Sequence, residues 1–184
     1  GHTAVSQLVP GRIDWEDLFG RRGVRWFHTG GIFAALSATT PAVVEEAIDT
    51  AHRHGTIVSY DLNYRPSLWS SHGGTRAAQE VNRRLVGLVD VLVGNEEDFT
   101  ACLGLTVPGG DERFATISAD GYAVMLAEAA RAYPNLRVVA ATLRTVRSAS
   151  VNDWGALAWA AGTIHRAIER PGVEILDRVG AGDE

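Results

Sequence analysis

The 184 residues contain no lysine; all 17 basic side chains are arginine. That excludes every chemistry built on a lysine: a Walker A phosphate loop, the lysine of a protein kinase, a pyridoxal Schiff base. Cys102 is the only cysteine, which excludes a disulfide scaffold and a cysteine-built zinc site. No run approaches the ~20 apolar residues that cross a bilayer. Residues 1–10 lack the basic-then-apolar pattern of a secretory signal. No membrane partner and a cytoplasmic location are therefore expected. Positive charge is also scarce: a net charge of −5 offers nothing to a nucleic acid. The 20 glycines and 6 prolines follow no period, which excludes collagen-like and low-complexity chains. What is present, 46% hydrophobic and 21% charged residues, is the composition of a globular domain rather than a disordered chain. The length fits one domain with a core, and no repeat or linker divides it.

Periodicity and punctuation give alternating strands and helices. Strands are expected over residues 3–8, 24–28, 56–60, 91–93, 137–143 and 173–176. Helices are expected over 14–19, 41–54, 75–88 and 120–133. In the second of these, Pro41 suits the first turn, Thr40 the N-cap, and Gly55 the stop; Val43, Val44, Ala47, Ile48 and Ala51 share one face. Ala161-Gly162 joins two short strands, residues 155–160 and 163–167, as a hairpin, and residues 106–118 read as an irregular connection. Such alternation predicts an α/β fold, a mostly parallel sheet with helices on both faces. Ligands in such sheets bind beyond the carboxyl ends of the strands. Five polar or glycine-rich clusters follow strands: His28 to Gly31, Asp61 to Arg65, Asn95 to Asp98, Thr142 to Arg144, and Gly180 to Asp183.

Each cluster has a chemical and a structural reading. Gly180-Ala181-Gly182 exposes backbone N–H groups with no side chains in the way. At a helix N-terminus these form an anion site, and Asp183 beside it can take a proton from a hydroxyl, as phosphoryl transfer requires. The same residues also suit a glycine turn with an aspartate cap. Asp61 and Asn63 share a face by the strand period, and Arg65 supplies a planar fork for a carboxylate or phosphate. The alternative is an arginine paired with a local aspartate. Asn95-Glu96-Glu97-Asp98 suits either a hard cation such as Mg²⁺ or a capped first turn rich in acids. His28 suits a backbone bond at a strand end. His52 and His54, two apart, suit helix-end stabilisation rather than a metal, and Cys102 falls in an apolar stretch as a core residue.

Taken in order, His28-Thr29-Gly30-Gly31, Asp61-Leu62-Asn63-Tyr64-Arg65, Gly94-Asn95-Glu96-Glu97, Thr142-Leu143-Arg144 and Asp177-Arg178-Val179-Gly180-Ala181-Gly182-Asp183 resemble the ribokinase-like sugar kinases, the PfkB family. Within it, residues 61–69 and 146–154 are most similar to 2-keto-3-deoxygluconate kinases. The resemblance implies a three-layer ribokinase-like core and ATP-dependent phosphorylation of a small sugar acid, 2-keto-3-deoxygluconate, to its 6-phosphate. Another sugar kinase of the family, for fructose or 5-dehydro-2-deoxygluconate, or a catalytically dead sugar- or nucleotide-binding domain, are the alternatives. By resemblance Asp183 is the base, and Gly180, Ala181 and Gly182 form the anion hole. Arg65, with Asp61 and Asn63, holds the substrate and its carboxylate. Asn95, Thr142 and Arg144 meet ATP, and Asp98 organises Mg²⁺. The chain departs from the family at Asp98, where glutamate is usual, at Arg144, where glycine is usual, and at Glu184, where a small residue is usual. Family members carry a preceding lid and sugar-binding segment and a following helix that find no match here. The expectation is therefore one partial domain over residues 1–184, with a homo-oligomer left open for the full-length protein.

Overall fold

The computed structural model describes residues 3–106 and 119–176. β1 (Trp26–Gly30) is followed by a single turn, α1 (Gly31–Ala34), and by α2 (Thr40–Arg53). The apolar face expected of α2 is its buried face: Val43, Val44, Ala47, Ile48 and Ala51 are all at most 2% exposed. β2 (Ile57–Asp61) leads through α3 (Pro66–Trp69) into α4 (Gly74–Val86). β3 (Val91–Gly94) leads into α5 (Glu96–Asp98), and α6 (Ala119–Ala132) precedes β4 (Val138–Val146). β5 (Val151–Ala160) and β6 (Thr163–Arg166) form the expected hairpin. Its turn residues Ala161 and Gly162 have φ of 49° and 82°, the two left-handed positions of a type I′ turn. β7 (Arg170–Glu174) pairs with β5.

The strands form one mixed sheet in the order β1-β2-β3-β4-β5-β6. The first four are parallel, and β5 turns back antiparallel against β4. Because each crossover advances one strand in the same direction, right-handed connections carry α2, α4 and α6 to the same face. There α2 packs on β2 and α4, and α6 packs on β4 and β5. The core lies between these helices and the sheet, where Val58, Tyr60, Leu92, Val139 and Leu157 meet Ile48, Leu85, Met125 and Leu126, all essentially inaccessible. The α/β class with a mostly parallel sheet is thus the one expected, and among the described residues the crossover helices lie on one face. Burial accordingly alternates along β3 and through the first half of β4.

Three local expectations change. Residues 3–8 are not a strand but a 3₁₀ turn, Val5–Gln7. Ser6 Oγ donates to the Thr3 carbonyl at 2.8 Å, and Thr3 Oγ1 accepts from Ser6 N at 3.2 Å; such local side-chain bonds compete with extension. The helical turn expected at 14–19 is a π-helical turn, Glu16–Arg21. Thr40 is inside α2 rather than its cap, its hydroxyl turned back to the carbonyls of Ser37 and Ala34 at 3.1 and 3.2 Å. Cys102 is fully buried as expected, and burial pushes its thiol up to about 12, which leaves it inert.

Candidate functional site

The carboxyl ends of three parallel strands, Gly30, Asp61 and Gly94, lie along one edge of the sheet. The segment leaving each strand is held by its neighbour. At the first, Gly30 and Gly31 run against the exit of β2. A Cβ on Gly30 would lie 2.7 Å from the carbonyl oxygen of Asp61, and one on Gly31 would overlap the carbonyl oxygen of Leu62. The glycines are there for this close approach. Gly31→Ala is expected to cost about 1–3 kcal/mol, the range for overpacking a rigid site; its midpoint in urea should fall with the m-value unchanged.

Beyond β2, Leu62 is fully buried and its N–H continues the ladder to the Val93 carbonyl at 2.9 Å. Asn63 then turns left-handed, φ 34°, a conformation asparagine tolerates better than most. The strand period that would have placed Asn63 on the face of Asp61 is therefore broken. Arg65 is extended, as a residue before proline prefers. Its side chain is exposed, with Nη1 donating to the Tyr64 carbonyl at 2.9 Å.

The acidic cluster after β3 is a capping box. Asn95 Oδ1 accepts from the Asp98 amide and Asp98 Oδ2 from the Asn95 amide, both at 2.9 Å. The other oxygen of Asp98 reaches across to accept from the Tyr64 amide at 2.7 Å. Asp98 is 4% exposed. Burial outweighs these two amides and pushes its carboxyl up to about 6. Glu96 accepts from the Tyr122 hydroxyl at 2.6 Å, while Glu97 is exposed. The capped-turn reading of this cluster is the one the geometry displays. Among the described residues no group of three or more His, Cys, Asp or Glu gathers to hold a metal by itself, and each Asp98 oxygen accepts from one amide.

Thr142 to Arg144 lie inside β4, not after it, because β4 runs on to Val146 against β5. Gly94 pairs with Ala141, so Thr142 still stands at the edge where β3 ends. Arg144 is opposite Trp154, its guanidinium 5.6 Å from the ring centroid. With the buried Asn152 amide turned to match its neighbours, its oxygen accepts from Arg144 Nε at 3.0 Å. Gly180, Ala181, Gly182 and Asp183 lie outside the described residues. Four of the five clusters thus share one edge of the sheet.

Residues 24–184 match the model of the pfkB family of carbohydrate kinases. The chain belongs to that family. A curated relative, 2-dehydro-3-deoxygalactonokinase of Haloferax volcanii, is 33% identical over 85% of this chain and 41% of its own. The 5-dehydro-2-deoxygluconokinase of Geobacillus kaustophilus is 40% identical over 53% of this chain and 27% of its own. The crystal structure of 2-dehydro-3-deoxygluconokinase from Thermotoga maritima superposes with a TM-score of 0.86 at 38% identity, over 100% of this chain and 52% of that one. The chain spans about half the length of these relatives or less.

Two features of this pfkB-family edge escape a reading by motifs. The tie from Asp98 to Tyr64 joins two clusters 34 positions apart, and nothing local announces it. The Arg144–Trp154 contact was within reach: a hairpin centred near residues 147–150 sets those two opposite each other. Helix-end roles for the histidines are visible in part. His54 Nε2 meets Glu16 at 2.6 Å and His52 meets Asp90 at 3.4 Å. His28 meets the Ser59 hydroxyl at 2.7 Å rather than a backbone group.

Proposed function

We propose that this chain is a partial domain of a cytoplasmic, ATP-dependent kinase of a small sugar acid, 2-keto-3-deoxygluconate, giving its 6-phosphate. The observation that carries the reading is the exposed Arg65 fork, set at the ligand-binding edge by a left-handed Asn63 and by the Asp98 tie to Tyr64. A guanidinium so presented suits a carboxylate. The names of the Haloferax and Thermotoga relatives, both kinases of 2-dehydro-3-deoxy sugar acids, support the same substrate class.

In this reading Arg65 takes the carboxylate, and Asp61 and Asn63 meet the sugar hydroxyls. Asn95, Thr142 and Arg144 face the nucleotide, with Mg²⁺ arriving as part of the MgATP substrate. Asp98 contributes by holding the Asn63–Arg65 loop against the Asn95 turn. Asp183 takes the proton of the terminal hydroxyl as its oxygen bonds to the γ-phosphorus and ADP leaves. The backbone N–H groups of Gly180, Ala181 and Gly182 receive the charge on the moving phosphoryl group.

A substrate panel on the full-length enzyme tests this. The keto-acid should exceed fructose in kcat/KM by about ten- to a hundredfold, the worth of one charge-assisted pair. Equal rates would overturn the assignment. Preference for the 2-keto-3-deoxygalactonate epimer or for 5-dehydro-2-deoxygluconate would move it to the activity named for the Haloferax or Geobacillus relative. Nucleotide binding by calorimetry with no transfer to any sugar would replace it with a binding domain. Arg65→Ala should raise KM for the acid by the same ten- to hundredfold (about 1.5–3 kcal/mol) and leave kcat nearly unchanged.

A further inference from the structure

Several arginines of this chain are matched to acids: Arg22 to Asp17, Arg53 to Glu16, Arg84 to Glu45 and Arg147 to Asp153. Arg144 is held by neutral groups instead. Its guanidinium carbon lies 5.6 Å from the ring centroid of Trp154, within the ~6 Å reach of a cation–π contact. On its edge, Nε donates to the Asn152 amide oxygen at 3.0 Å, and the amide nitrogen donates to the Val151 carbonyl at 3.0 Å. Asn152 is 1% exposed and Trp154 half-buried. An amide so buried, with both ends engaged, cannot turn without leaving a polar atom unsatisfied. The strand that carries both residues is itself pinned. The register of β5 against β7 shifts between Asn152 and Trp154, and Asp153 between them accepts from the Gly172 amide at 2.7 Å; such shifts re-aim side chains. Among the described residues no carboxylate pairs with Arg144, because Asp153 is taken by Arg147 at 2.7 Å. Arg144 is exposed and shares a face of β4 with Thr142 by the strand period. Its Nη groups have no partner among the described residues.

We propose that Asn152 and Trp154 are positioning residues for Arg144. They hold its guanidinium with the Nη fork free, as a receptor for the anionic group of a substrate: a phosphate of the nucleotide or the carboxylate of the sugar acid. The neutrality of the two holders is the telling feature. A carboxylate in place of Asn152 would fix the arginine as firmly but cancel its charge. An amide and a ring fix it and leave the full charge to a ligand, and a fork fixed beforehand loses less side-chain freedom on binding. The inference rests on the proposed reading in one respect, that Arg144 meets a substrate anion; it adds the two residues that prepare Arg144 for it.

The test uses the full-length enzyme. KM is measured separately for MgATP and for the sugar acid, and Kd by calorimetry for MgADP and for the sugar acid, each alone. Trp154→Leu is expected to raise the value for one of the two substrates about three- to thirtyfold, the worth of a cation–π contact, with kcat nearly unchanged. Trp154→Phe, which keeps a ring, should stay within about twofold of wild type. Asn152→Ala should move the same value in the same direction. The arm that moves names the anion: the nucleotide arm a phosphate, the sugar arm a carboxylate. In an Arg144→Ala background, Trp154→Leu should change that value by less than about twofold, because the group it acts through is gone. Circular dichroism of each variant reports whether the fold is intact, and the half-buried Trp154 carries the test even where Asn152→Ala fails to fold. Values unmoved in both arms by Trp154→Leu would overturn the proposal. So would a Trp154→Leu effect of equal size with and without Arg144, which would make Trp154 a packing residue only. Binding of MgADP needs neither turnover nor a choice of sugar. If the substrate panel returns a neutral sugar, the substrate assignment fails, and the MgADP arm alone decides this inference.

Discussion

Asp183→Asn, in a chain completed with the rest of its fold, is expected to lower turnover by about 10²–10⁴-fold, the usual worth of a general base. Asparagine keeps the volume and still caps a helix N-terminus about as well as aspartate, but it cannot accept the hydroxyl proton. Substrate binding should change little, because the proposed anion hole is made of the backbone of Gly180, Ala181 and Gly182 and survives the substitution. Steady-state kinetics separate this from the structural alternative. A turn that merely uses Asp183 as a cap predicts near-normal stability and near-normal rate. An Asp183→Asn enzyme that keeps most of its activity would therefore remove the base assignment. Paired with Arg65→Ala, the result is a two-part signature, loss of rate at one residue and loss of affinity at the other.

Asp98→Ala is expected to be the most destabilising change at the site. It strips the acceptor from two amides, those of Tyr64 and Asn95, and each buried donor left unmade costs about 1–3 kcal/mol. A loss of about 2–5 kcal/mol is expected by urea unfolding, together with a mobile Asn63–Arg65 loop. The carboxyl also sets a pH dependence of unusual sign. Burial raises it from 3.8 to about 6 in the folded state. Between those values the folded chain holds a proton that the unfolded chain has released. The slope of stability against pH is then negative: Asp98's contribution is most favourable below about pH 4, declines as pH rises to about 6, and is level above. Relative to Asp98→Asn, which has no such proton, the wild type should stand higher at pH 4 than at pH 7. A difference that is the same at both values would mean that the amides offset burial and leave Asp98 as acidic in the folded chain as in the unfolded one.

Much of this architecture was legible in the chain. The stripe Val43-Val44-Ala47-Ile48-Ala51 located a helix and its buried face, because period 3.6 leaves an apolar face nowhere else to go. Ala161-Gly162 located a hairpin turn. The order of polar clusters after strands located the carboxyl edge of the sheet, where the described ones gather. What stayed hidden depends on tertiary pairing. Residues 3–8 alternate like a strand, but the bonds between Ser6 and Thr3 win locally, since among the described residues no strand pairs with them. Thr142 to Arg144 looked like a loop because β5 was expected to begin only at Gly155; paired from Val151 onward, it draws the strand out past them. The acids of Asn95 to Asp98 looked equally suited to a cation and to a cap. The distances from Asp98 to two amides display the cap, which the sequence alone could not.

The sheet also has a temporal order. Its strands are laid side by side in the order in which they occur along the chain, β1-β2-β3-β4-β5-β6, and no strand waits for one made later before it can pair. On a ribosome, where the chain emerges from its N-terminus at about 5–20 residues per second, β2 can dock on β1 while β3 is still being made. Each helix arrives in time to cover the pair just formed. Each parallel pairing closes over a single crossover and reaches no farther along the chain. The last additions, β5 with β6 and β7, close by local hairpins. Nascent chains arrested after residue 61, after 94 and after 146 should therefore show amide protection that grows strand by strand instead of appearing at once when β5 is released.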